Sequence, residues 1–219
     1  MRTINMELKK QAINILNKDR ISNYAMINLL NNNKISKIEI YKSSVALKQN
    51  RSEKWVHLIS KNLEELEEFI PLLKNERYFA ATNTSFIETI AHNREVRWRE
   101  DCFRLAYLKK DKFNCKTTYP ELTLSDAEIV NNFWPYKSKY SLEYIKTRIK
   151  EGVSIGYFIK DKPISWIITQ DDGAMGFFHT LKEYRRRGYG EKTTKALINK
   201  LMSNPPFTHL YFIFHKGHE

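Results

Sequence analysis

Cysteine is scarce in this chain: Cys102 and Cys115 are the only two among 219 residues, and neither stands at metal-ligand spacing from a histidine. That argues against a disulfide framework and a Cys/His metal site, and it suits a reducing compartment. Long apolar runs are missing too. No stretch approaches the about 20 residues needed to span a bilayer. Met1 to Lys10 scatters charges among isolated apolar residues, unlike a secretory leader. The expectation is a soluble, cytoplasmic protein with no membrane partner and no metal. With only seven glycines, the familiar phosphate loops are also absent. There is no Gly-x-x-x-x-Gly-Lys-Ser/Thr run, and no three-glycine fingerprint follows a first strand.

What is present is a foldable composition, 42% hydrophobic with 13% aromatic residues, ample for a packed core. The formal net charge of +12 has three readings: a phosphate-rich small ligand drawn to a basic surface, nucleic acid, or a general lysine bias.

Met6 to Leu16 and Tyr24 to Asn32 carry apolar residues at helical spacing. From Ile38 to Ile59 the pattern shifts to strands, broken at Lys42-Ser43-Ser44 and Gln49 to Ser52. Asn62 is placed to cap an acidic amphipathic helix reaching Leu73. Tyr78 to Ala81 reads as a strand, Thr84 to His92 as a helix, and Cys102 to Leu108 as the last strand of this half. The polar stretch Lys109 to Thr118 is the expected linker. The domains expected are therefore 1–118, α+β, and 119–219. In the second, Ser125-Asp126 caps one helix and Ser141 opens another, closed by Gly152. Strands at 153–159, 164–169 and 174–181 follow, then a helix from Glu191 and a strand at Leu210 to Phe214.

The most informative stretch joins an apolar strand, Ala174 to Leu181, to a helix through Lys182-Glu183-Tyr184-Arg185-Arg186-Arg187-Gly188-Tyr189-Gly190-Glu191. A helix N-terminus presents unpaired N–H groups and a positive dipole end. Glycine lets backbone approach an anion closely, and arginine grips phosphate through two parallel hydrogen bonds. A pyrophosphate is the natural occupant; on spacing alone, a solvated basic turn is the alternative.

Arg185-x-x-Gly188-x-Gly190 after a strand resembles the acyl-CoA loop of the GNAT superfamily of N-acetyltransferases. With Ala127 to Asn131, Trp134, Ser141-Leu142-x-Tyr144-Ile145, Pro163 to Trp166 and Gly173, the region from about 120 onward is similar to the glycine N-acyltransferase-like branch. The resemblance implies a GNAT fold in the C-terminal half and a degenerate second GNAT-like unit in the N-terminal half. It implies transfer of an acyl group, acetyl above all, from acyl-CoA to a primary amine of a small molecule or amino acid. Phe178 and Thr180 would hold the pantetheine arm through main-chain bonds, in a wedge between two splayed parallel strands. Arg185, Arg186, Arg187, Gly188, Tyr189, Gly190 and Glu191 would hold the pyrophosphate.

Two departures stand against that pattern. Where the family carries a candidate glutamate base just after the turn glycine, this chain has Ala174. His179 is then the candidate catalytic residue, with Asp171 and Asp172 nearby. The chain also reaches His218-Glu219 where the family continues into a helix and closing hairpin. That leaves the final strand as an exposed edge, which a homodimer would cover. A non-catalytic acyl-CoA-binding or nucleic-acid-binding module stays open as the other function class.

Overall fold

The computed structural model describes residues 5–108, 111–115, 118–203 and, as backbone, 210–215. Parts of the expected linker (Lys109, Lys110, Lys116, Thr117), Pro205-Pro206 and His218-Glu219 lie outside these residues. The fold is α+β, in two compact units that divide at Cys102/Phe103.

In the N-terminal unit, α1 (Met6–Leu16) starts where the Asn5 side chain accepts from the Glu7 and Leu8 N–H groups, the expected stabiliser of a first helical turn. α2 (Tyr24–Asn31) follows. Then β1 (Ile35–Tyr41), β2 (Ser44–Gln49) and β3 (Trp55–Ile59) pair antiparallel in sequence order. α3 (Leu63–Phe69) leads to β4 (Tyr78–Ala81), which lies parallel to β3, and α4 (Thr84–Ala91) closes the unit. The strand period of two explains a sheet buried on both faces. Val45 and Leu47 of β2 pack with Ala12, Leu16 and Leu30, while Ala46 packs with Leu66, Phe69 and Phe86.

The C-terminal unit repeats that plan. α5 (Ala127–Asn132) and α6 (Ser141–Glu151) precede β6 (Ser154–Ile159), β7 (Lys162–Thr169) and β8 (Met175–Thr180), then α7 (Tyr189–Ser203) and β9 (Leu210–His215). Thr123, not Ser125, begins the first of these helical segments, in a capping box with Asp126. β6, β7 and β8 are antiparallel and β9 is parallel to β8. Ile164, Trp166 and Ile168 of β7 pack with Ile145 and Val130 of the α5/α6 pair. Ile167, Met175 and Ile155 pack with Leu197, Ile198 and Leu201 of α7.

β5 (Cys102–Tyr107) departs from expectation. The sequence assigns it to the N-terminal half, yet it is the outer strand of the second sheet, in the order β5-β9-β8-β7-β6. β9 is therefore flanked on both sides, and the exposed final edge expected from the sequence is not found. A strand's own residues fix its pleat but not its neighbour, so this pairing could not be read from periodicity.

Candidate functional site

β8 is interrupted at its centre. Ile168 pairs with Gly176 and Trp166 with His179, so Phe177 and Phe178 together oppose Ile167. This is a β-bulge, and Phe177 adopts φ +49°, a left-handed conformation costing a non-glycine residue about 1–2 kcal/mol. Packing offsets the strain: the Phe177 ring is buried with its centroid 4.2 Å from Trp134, and full burial of such a ring stabilises by about 1.5–3 kcal/mol.

The bulge advances side-chain alternation by one residue, which decides what the end of β8 presents. Met175 packs with α7 residues, whereas Phe177 packs with the α5/α6 set. Phe178 is then turned toward the start of α7. It is 53% exposed, and its ring tip lies 2.6 Å from where a Gly190 Cβ would stand. His179 shares the α5/α6 face with its register partner Trp166, while the Thr180 hydroxyl bonds Ser165 at 2.8 Å.

Main-chain direction follows the same bookkeeping. The Leu181 N–H donates to the Ile164 carbonyl at 2.9 Å. By the alternation of an antiparallel ladder, Thr180 and Phe178 direct their N–H and C=O groups away from β7, toward β9. Among the described residues β8 and β9 share only the register pair Met175–Phe212. The repeated plan supplies a contrast: β3 and β4, the corresponding strands of the N-terminal unit, stay paired from Trp55–Tyr78 through Leu58–Ala81.

The loop after β8 is held in shape from both ends. The Arg185 Nε donates to the Thr180 carbonyl at 2.9 Å, so this arginine ties the loop back to the strand. Thr193 donates its hydroxyl to the Gly190 carbonyl at 2.9 Å and lies 3.5 Å from the Ser165 hydroxyl. Thr193 and Ser165 are fully buried. Between these anchors Arg186 and Gly188 take φ +59° and +77°. Lys192 N–H donates to the Gly188 carbonyl, making Gly188 the cap of α7. Among the described residues the N–H groups of residues 186–191 meet no backbone or side-chain acceptor. Arg186 and Arg187 are exposed. Glu191 is an exposed acid whose carboxylate pairs with Lys195 at 2.5 Å. Here again the N-terminal unit differs: the Asn62 side chain already fills the N–H of Glu65, and Glu64 and Glu65 place acid in the first turn of α3, which repels anions.

His179 is half-buried between two rings, Phe133 at 4.5 Å and Trp166 at 5.1 Å, each 29° from parallel. Its Nε2 is buried and, among the described residues, has no hydrogen-bond partner. Burial, and secondarily the Arg185 charge, lowers its pKa from 6.5, so the ring is neutral at pH 7. Asp171 accepts the Tyr144 hydroxyl at 2.7 Å. Asp172 is buried and accepts the Ala174 N–H, shaping the turn. Ala174 is fully buried. No group of three or more acidic, histidine or cysteine side chains could hold a metal among the described residues. No helix of the described residues is long and apolar enough to cross a membrane. The buried hydroxyls of Ser165 and Thr193, and the Phe133 ring over His179, escaped the sequence reading. Serine, threonine and phenylalanine carry no signal until the fold brings them together.

Comparison with known proteins bears on this geometry. The model of the FR47-like protein family, a GNAT-related family, matches residues 155–210. The search of curated proteins gives no match. A solved Drosophila protein structure superposes with a TM-score of 0.77 at 17% identity, covering 99% of this chain and 90% of its own. A GCN5-related N-acetyltransferase from Kribbella flavida superposes with a TM-score of 0.54 at 12% identity, covering 88% and 85%. The chain carries the GNAT fold; none of these comparisons singles out the glycine N-acyltransferase-like branch.

Proposed function

We propose that this protein is an acyl-CoA-dependent N-acyltransferase, with acetyl-CoA as the first donor to test and a primary amine as acceptor. The observation that carries the reading is the pairing of two features at one end of β8: among the described residues, β8 and β9 share only the register pair Met175–Phe212, and the N–H groups at 186–191 meet no acceptor. Residues 186–188 and 191 are exposed, so the N–H groups at this helix start are open to an anion. A diphosphate would satisfy several, each charge-assisted bond contributing about 1.5–3 kcal/mol. Arg186 and Arg187 add charge, and Arg185 keeps the loop in register with the strand. The Phe178 and Thr180 main-chain groups would pair with the pantetheine amides as a further strand does.

The reaction forms a C–N bond to the thioester carbonyl carbon and breaks the C–S bond. The amine's proton must go to a base, and the thiolate must receive one. The oxyanion that develops on the thioester carbonyl needs an N–H donor, and a main-chain N–H of the β8 bulge is the candidate. His179, neutral and, among the described residues, unpartnered at Nε2, is the base candidate. Ala174, where the branch has its glutamate, favours a second reading in which the fold binds acyl-CoA without catalysis.

Calorimetry with acetyl-CoA, followed by thiol release across an amine panel, tests both. Saturable binding abolished in Arg186→Ala/Arg187→Ala, with amine-dependent thiol release, is the expected result. Binding without release supports the second reading. Salt-sensitive binding of duplex DNA in place of acetyl-CoA overturns both.

A further inference from the structure

The second sheet has two edges, and among the described residues only one is covered. At β6 the Gly156 N–H donates to the Pro120 carbonyl at 2.9 Å, and the Ser154 hydroxyl accepts the Leu122 N–H at 3.1 Å, so the chain before α5 runs along that edge. The β6–β7 register also shifts between Tyr157 and Phe158, and an irregular edge resists pairing with another strand. The second edge, which the sequence places at β9, lies at β5 instead.

β5 carries none of these protections. Cys102 to Ala106 are all exposed, Phe103 and Leu105 to 56% and 55%. The strand has no proline or lysine and a single charge, Arg104. Side chains alternate, so Phe103, Leu105 and Tyr107 share one face, where Tyr107 meets the Phe113 ring at 5.5 Å. A strand at a sheet edge with an exposed apolar row is a template for a further strand.

The strand is also complementary to itself. Two copies paired antiparallel about a two-fold axis normal to the sheet keep each face on its own side, so the axis passes beside a single residue. The midpoint of β5 falls between Arg104 and Leu105, and these two positions give the fullest overlap. An axis at Arg104 sets the two Arg104 side chains opposite each other, which is unfavourable. An axis at Leu105 sets Leu105 against Leu105, Phe103 against Tyr107 and Arg104 against Ala106, so apolar pairs line one face and no like charges are opposed.

We infer that β5 is a dimerisation edge: two copies of this chain join β5 to β5 antiparallel, with Leu105 on the two-fold axis, into one continuous sheet. The pairing does not depend on acyl-CoA. Sedimentation velocity on the full chain without ligand should show a species of twice the 26.1 kDa chain mass, its share rising with protein concentration. Leu105→Lys, which brings two ammonium groups together on the axis, should raise the dimer Kd at least about tenfold. Leu105 is over half exposed, so the circular dichroism of that variant should match the parent's. Cross-linking reads the register separately. In a Cys102→Ser/Cys115→Ser background treated with diamide, Leu105→Cys should form a disulfide-linked dimer far faster than Arg104→Cys.

A monomer at every concentration overturns the inference, and so does a dimer that Leu105→Lys leaves intact. Cross-linking through residue 104 in preference to 105 overturns the register and the inference with it.

Discussion

Gly188 separates backbone conformation from ligand exclusion in a single position. It caps α7 at φ +77°, and a Cβ placed there meets no atom within 4 Å. Gly188→Ala therefore adds no clash, and its whole effect on stability is the left-handed backbone, about 1–2 kcal/mol. For a chain of this size each kcal/mol lowers Tm by about 2–4 °C, so a fall of about 2–8 °C is expected. Gly188→Asn places a larger side chain in the same open space but tolerates positive φ, so its Tm should lie nearer that of the parent. Acetyl-CoA affinity should order differently. If that open space is where the diphosphate meets the N–H groups of 186–191, both variants weaken binding, and Gly188→Asn at least as much as Gly188→Ala. Loss of one charge-assisted bond of about 1.5–3 kcal/mol corresponds to roughly a tenfold or greater rise in Kd. Calorimetry and thermal melts on the same samples give both quantities. Parental affinity in Gly188→Asn would refute the placement of the anion, because the helix cap alone would then account for the glycine.

Further consequences follow from the same geometry. Arg186→Gly relieves a φ of +59° but adds glycine's entropy in the unfolded chain; the opposing terms of about 1 kcal/mol each leave Tm within a few degrees while acetyl-CoA binding weakens. Phe177→Ala removes a buried ring yet keeps the positive φ, so chemical denaturation should report a loss of about 3–5 kcal/mol. For His179 the pKa is lowered by burial first and Arg185 second. As pH falls below 6.5, the unfolded chain takes up a proton that the folded chain refuses, so stability declines through that window. Melts at stepped pH should show a shallower decline in His179→Gln, and parallel profiles would contradict the cause assigned.

The arginine triplet and both glycines were legible in the sequence as the turn between β8 and α7, because the apolar strand pattern stops before them and the helical period starts after them. The repeated order of helices and strands was legible from hydrophobic period. The bulge was not: phenylalanine rarely takes positive φ, and nothing in Gly176-Phe177-Phe178 announces that the strand shifts face there. That single residue nevertheless sends Phe178 to α7 and keeps His179 beside Trp166. The closure of the N-terminal unit is a mixed case. Asn62 was readable as a cap, and Glu64 and Glu65 mark a first turn hostile to phosphate, but the continued β3/β4 ladder is a property of the fold. The edge position of β5 was beyond reach, since an exposed Cys-Phe-Arg-Leu-Ala-Tyr strand suits either sheet.

Amide chemical-shift mapping on addition of acetyl-CoA tests the central claim most directly, since it observes the N–H groups themselves. The account predicts saturable shifts concentrated at 186–191 and at Phe178 and Thr180, with the first turn of α3 unmoved. Shifts absent from 186–191, or equal in the two units, would contradict it.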